Sequence, residues 1–278
     1  MRAICILLLL ITLTLHAQKK SLPRGYEWVK KRNLVIATFE TSCANWNEFL
    51  TGSDLDPAML PQLNPVVSKC IYDTNLGAET VLKDAETVFR DTTFVEQEKG
   101  KSKKRRGIEM CSNMPLTGVS YEQALAYCDW LTDKYSNDSR YAGLGLVFRL
   151  PTPAEMDSLL QDMFSVWKKG DENYLAFQSG INKKGCALYN HLHNSWCDIN
   201  LLMKKELGYG VPIRSGVFYP DVNGLMDLMG NVAEMTNKKG IAKGGSCISK
   251  APDCQPGAVN KYEGPQLWLG FRVVADLK

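Results

Sequence analysis

The sequence predicts an α+β fold that is rich in loops and holds little regular secondary structure. Three observations predict it. Two helix starts are strongly signalled in the first part of the chain, Ser120-Tyr121-Glu122-Gln123 and Thr152-Pro153-Ala154-Glu155. Beyond residue 170 the chain turns to Gly, Asn and aromatic residues without helical periodicity. Apolar runs of strand length stand at both ends, in Leu34 to Phe39, Gly240 to Lys243 and Leu269 to Val274. The 278 residues are 45% hydrophobic, enough to bury one large core or two small ones.

The elements follow in chain order. Arg2 and the apolar run Ile4 to Leu15, ending at Ala17, have the pattern of a secretory signal peptide over residues 1–17. Residues 18–33 form an N-terminal arm, and the folded domain runs over 34–278. Leu34 to Phe39 reads as a strand. Thr41 or Ser42 caps a short helix with Trp46, Phe49 and Leu50 on one face. Residues 78–90 read as a helix through Val81, Leu82, Ala85, Val88 and Phe89. The Ser120 capping box precedes Ala124, Cys128, Leu131 and Tyr135 at helical spacing. The Thr152 box has Pro153 in the first helical position, followed by Met156, Leu159, Leu160 and Met163 as a buried stripe.

Charge and cysteine content narrow the function classes. Net charge is +3, which gives no electrostatic argument for nucleic acid. Six of the basic residues crowd into a loop insertion at 99–106. Its plain reading is a solvated loop, and its sharper one a contact with an acidic polymer or surface. Past the leader no second long apolar run occurs, so no transmembrane span is expected. Of nine cysteines, Cys5 lies in the leader, and the remaining eight in an exported chain suggest disulfides. No cysteine stands at the cleavage point to take a lipid anchor.

Chemistry-bearing residues concentrate near the C-terminus. Asn223 to Glu234 (NGLMDLMGNVAE) puts Asp227, Asn231 and Glu234 among glycines, where hard oxygen ligands and tight turns can build a Ca2+ site. The alternative is a turn held by side-chain hydrogen bonds without metal. Lys243-Gly244-Gly245-Ser246 is a glycine pair where backbone approaches something closely. His191 and His193, near Cys186, Cys197 and Asp198, fit no strong zinc spacing and read as loop residues. Asn137-Asp138-Ser139 is a formal glycosylation sequon.

Five segments in order resemble the formylglycine-generating enzyme and sulfatase-modifying factor family. They are Met114 to Leu131, Phe148 to Glu155, Asn223 to Glu234, Lys243 to Ser246 and Leu269 to Arg272. The resemblance implies the family's variant of the C-type lectin fold. It implies calcium on the Asp227 and Glu234 side chains with the backbone carbonyls of Gly230 and Val232. It places a first calcium ligand at Asn190 and no partner aspartate for it. In active members two cysteines after the glycine-glycine-serine element bind Cu(I) and oxidise a substrate cysteine with O2. Here those two positions are Ser249 and Cys254. A hydroxyl is a poor ligand for Cu(I), which selects soft thiolates. Ala233 stands where active members carry tryptophan, and Lys250 where they carry arginine. If the chain is active, the resemblance puts catalysis on Ser246, Cys247 and Cys254, with Cys247 replacing the missing thiolate. In the alternative, Cys247 and Cys254 are structural.

The departures favour a non-catalytic binding or structural component of a bacterial cell envelope, in periplasm, envelope or extracellular space. A relation to the gliding-motility and type IX secretion members of the family follows from the resemblance. The partner expected is a protein or a glycan, met on loop aromatics such as Trp196, Tyr209, Phe218, Tyr219, Tyr262 and Trp268. The competing readings are a copper-dependent oxidase converting a sulfatase cysteine to formylglycine, and a ligand-binding domain of the diversified kind known on this fold.

Overall fold

The computed structural model describes residues 21–53, 113–192, 212–218 and 220–278. The leader, the 78–90 helix, the basic run at 99–106, Cys70, Cys111, His193, Trp196, Cys197, Asp198, Tyr209 and Tyr219 lie outside the described residues.

Two four-stranded sheets organise the chain. The first is formed by β1 (Tyr26–Val29), β2 (Leu34–Ala37), β3 (Leu146–Arg149) and β8 (Val274–Leu277), in the order β1-β2-β8-β3 and antiparallel throughout. The second is formed by β4 (Ala233–Met235), β5 (Ile241–Lys243), β6 (Asn260–Lys261) and β7 (Leu269–Gly270), in the order β6-β5-β4-β7. Its β4–β7 pair is parallel, with Glu234 opposite Gly270. Among the described residues four helices accompany the sheets: α1 (Cys43–Gly52), α2 (Tyr121–Asn137), α3 (Pro153–Phe164) and α4 (Glu172–Ser179).

Strand β2 of the first sheet is buried on both faces, which is why it reads as an unbroken apolar run. Successive strand residues point to opposite sides. Val35 and Ala275 join one core with Trp46 and Phe49 of α1 and Tyr127, Cys128 and Leu131 of α2. Their neighbours Ile36 and Val274 join a second core with Met156, Leu159, Leu160 and Met163 of α3. The helices begin where their caps dictate. Ser42, Ser120 and Thr152 each accept from the backbone N–H three residues on, and the side chain at that position bonds back to the cap's N–H.

Three sequence expectations are corrected. The segment assigned to the 18–33 arm contains β1, whose Trp28 pairs with Val35. Leu269 to Val274 is not one strand. It is split between the two sheets, and Arg272 sits at the crossing. The region beyond 170 holds α4, whose weak segregation of apolar residues hid it from a periodicity reading.

Candidate functional site

The Gly244-Gly245 pair shapes a loop around Cys254. Gly245 has φ +69°, and a Cβ there would lie 2.3 Å from the Cys254 sulfur. Only glycine lets the backbone pass so close to the thiol. Lys243, almost fully buried, ties the loop to α3 through the Asp157 carboxylate at 2.7 and 2.8 Å. Position 249 is built into the same turn. The Ser246 N–H donates to Ser249 Oγ at 2.9 Å, and the two hydroxyls lie 3.1 Å apart. The Ser249 N–H in turn donates to the Ser246 carbonyl at 2.9 Å.

The chemistry of these donors follows from burial. Cys247 and Cys254 both have no exposed surface, and neither is disulfide-bonded in the structure. Burial pushes the Cys254 thiol up to about 12, with the Asp253 charge adding to it. A thiol so raised is protonated at neutral pH, so it is a poor nucleophile and a metal must displace its proton to bind. The thiol donates to the Lys250 carbonyl at 3.6 Å, and the backbones of Gly230 and Ser246 also bear on the sulfur. Position 249 offers a hydroxyl already engaged with Ser246. A Cu(I) ion, which wants soft thiolates, does not fit this donor set.

The acidic segment builds a different centre. Arg272 is fully buried and uses all five of its N–H groups. Nε donates to both Glu234 carboxylate oxygens at 3.1 and 3.0 Å. One amino group donates to the carbonyls of Ala37 at 3.0 Å and Thr38 at 2.7 Å. The other donates to the Met226 carbonyl at 2.7 Å and to Glu234 Oε1 at 2.7 Å. The guanidinium thus joins the end of β2, the loop before β4 and β4 itself.

Asn231 is the second hub. Its Oδ1 accepts from the Ile213 N–H at 2.9 Å and from Asn190 Nδ2 at 3.1 Å. Its Nδ2 donates to Glu40 Oε1 at 2.9 Å and to the Ile213 carbonyl at 3.2 Å. All four hydrogen-bonding positions of the amide are used, so its oxygen is occupied by protein. Beside it, Gly230 has φ +75°, and a Cβ there would meet the Asn190 carbonyl at 2.2 Å.

The calcium positions come together in part. Glu234 and Asp227 lie near enough for the charge of one to raise the carboxyl of the other, after burial, the larger cause. Glu234 is held by Arg272, and Asp227 accepts the Gly216 N–H. Burial pushes the Glu40 carboxyl up as well, as does the Asp227 charge, and Glu40 Oε2 is buried with no hydrogen-bond partner. Three carboxyl groups thus face one guanidinium, and burial biases those of Glu40 and Asp227 toward the neutral form. No group of three or more His, Cys, Asp or Glu side chains among the described residues is arranged to hold a metal. The side chains present for a calcium ion at this place would be Asp227 and a Glu234 shared with Arg272.

Other candidates resolve simply. His191 is buried, packs on Tyr189 with ring centres 4.6 Å apart, and its Nδ1 lies 2.9 Å from the Tyr189 carbonyl oxygen. Tyr262 is core, while Phe218 and Trp268 are half-buried. Glu40 was not among the expected site residues. Its signal was a lone acid ending an apolar strand just before a cap.

The family model of the sulfatase-modifying factor enzyme 1-like domain matches residues 12–277. Among solved structures, PvdO from Pseudomonas aeruginosa is similar at 15% identity, covering 88% of this chain and 80% of that one, with a TM-score of 0.48. CarF is similar at 15% identity over 88% of this chain and 87% of that one, with a TM-score of 0.44. Treponema denticola variable protein 1 is similar at 18% identity over 69% and 80%, with a TM-score of 0.39. No curated protein matches the chain.

Proposed function

The chain belongs to the sulfatase-modifying factor enzyme 1-like domain family, and we propose that it keeps the family fold without the copper chemistry, as a non-catalytic binding and structural component of a bacterial cell envelope. The observation that carries this reading is the pair at 249 and 254. Where two thiolates are needed, one position is a hydroxyl locked to Ser246 and the other a thiol held neutral by burial. Cys247 is two residues from Ser249 and buried, and its N–H donates to the Asn231 carbonyl at 2.9 Å. It lies close enough to Cys254 for its charge to act on that thiol, so the two sulfurs share one buried neighbourhood.

Export is supported by the leader-like sequence at 1–17 and by the disulfide at Cys186. No helix among the described residues is long and apolar enough to cross a membrane. Calcium at Asp227, Glu234 and the carbonyls of Gly230 and Val232 is the ion proposed, supported by the three carboxyl groups gathered around one guanidinium and by the buried, unpartnered Glu40 Oε2. The relation to gliding-motility and type IX secretion components rests on the sequence resemblance alone.

The test is a Cu(I) titration of the reduced chain from residue 18 against a colorimetric chelator. The expected result is no competition for the metal by the native protein, with competition appearing in Ser249→Cys. Tight stoichiometric Cu(I) binding by the unaltered chain that disappears in Cys254→Ala would refute the reading.

A further inference from the structure

We propose that a cleft between the end of α3, the α4 helix and the Gln255-Pro256 turn binds one neutral saccharide unit. The cleft measures about 270 Å³ and is lined by Gln161, Phe164, Tyr174, Gln178, Gln255 and Pro256. The three elements converge for local reasons. Phe164 closes α3, and its ring meets Tyr174 edge to face at 5.3 Å and Phe177 at 5.4 Å. Tyr174 and Gln178 stand one helical turn apart and so share a face of α4. Gln255 follows the 3-10 turn Ala251–Cys254, and its side-chain nitrogen donates to the carbonyls of Gln178 at 3.1 Å and Ala251 at 3.2 Å. A third contact, to the Tyr189 hydroxyl at 3.4 Å, fixes the plane of that amide.

The lining selects the ligand class. None of the six residues is charged, so an ionic ligand finds no countercharge. Three carboxamides project there, so a purely apolar ligand strands polar groups. The side-chain amides of Gln161 and Gln178 make no hydrogen bond among the described residues. A carboxamide presents a donor and an acceptor side by side. Adjacent hydroxyls of a pyranose, each able to donate and accept, match that pair. The Phe164 and Tyr174 rings supply an apolar wall for the C–H face of the sugar. The volume lies just below that of typical ligand clefts, which start at roughly 300 Å³, and suits a single ring of a glycan rather than an extended chain.

The inference rests on the reading of this domain as a binding component and names the chemistry of its partner. The neighbouring Cys254 sulfur is fully buried, so the cleft does not expose that thiol.

The experiment is saturation-transfer NMR with isothermal titration on the chain from residue 18, using glucose, galactose, mannose and N-acetylglucosamine. The expected result is binding of at least one of them in the millimolar range. Gln161→Ala and Gln178→Ala, both at exposed positions, weaken it about tenfold, as expected for the loss of one or two hydrogen bonds. Lys261→Ala, in the second sheet, leaves it unchanged. Circular dichroism confirms that each variant is folded. No binding of any neutral sugar by the folded chain overturns the proposal, as does binding untouched by both glutamine variants. Conversion of a cysteine peptide is read in a separate assay. A positive result there overturns the binding-component reading, whatever the sugars do.

Discussion

Replacing Arg272 by alanine removes the one cation in a fully buried cluster. It leaves the Glu234 carboxylate at 1% exposure or less without a partner. Breaking a buried pair from one side costs about 3–5 kcal/mol, because the remaining charge stays desolvated. The carbonyls of Ala37, Thr38 and Met226 also lose their donor, which places the expected cost at the upper end of that range. Urea unfolding followed by tryptophan fluorescence measures it. With a slope of about 3 kcal/mol per molar urea, the midpoint falls by about 1.3–1.7 M. Arg272→Lys keeps a charge but has only three donors, and falls between the two. The pair Arg272→Met with Glu234→Gln is milder than Arg272→Ala, because no charge is stranded. A loss below about 1 kcal/mol for Arg272→Ala would refute the reasoning, since a clamp across both sheets cannot be that weak.

Three further outcomes follow from the same structure. Gly245→Ala places a Cβ 2.3 Å from the Cys254 sulfur at φ +69°, so stability falls by about 2–3 kcal/mol. Adding Cys254→Ala restores part of that loss, and thermal unfolding of the single and double variants checks it. The thiols of Cys43, Cys128 and Cys254 are each pushed up to about 12 by burial. The fold therefore keeps protons that the unfolded chain releases above about pH 8.5. Stability is full below that value and lost as pH rises toward 12, by about 1.4 kcal/mol per unit for each thiol. Denaturation midpoints at pH 8 and at pH 9.5 should differ in that direction, and equal midpoints would contradict it. Finally, millimolar Ca2+ should raise the melting temperature over that in chelator, and Asp227→Asn should reduce the difference. An unchanged melting temperature would remove calcium from the account.

Much of the fold was legible because its signals are local. The capping boxes at Ser120 and Thr152 fix helix starts through hydrogen bonds within four residues, and Pro153 adds its preset φ. The strand at Leu34 showed because both its faces are buried. The Asp227 to Glu234 segment was legible as a polar centre. Its wiring was not, because that depends on contacts distant in sequence. Glu40 and Asn231 are 191 residues apart in sequence, and Arg272 reaches Glu234 from the crossing between the two sheets. The split at Arg272 was hidden for the same reason, since apolar runs on either side look continuous until the guanidinium's partners are known. The state of Cys254 was equally invisible, because its thiol is governed by burial and not by spacing.

The central claim is that this domain has kept a fold and lost a reaction. It is tested most directly by incubating the chain from residue 18 with Cu(I), air and a sulfatase-type Cys-x-Pro-x-Arg peptide, beside an active family enzyme. Mass spectrometry reads the conversion of cysteine to the aldehyde. The account predicts unmodified peptide while the control is converted. Conversion by this chain that is lost in Cys254→Ala would contradict it, and would make Cys247 the second ligand.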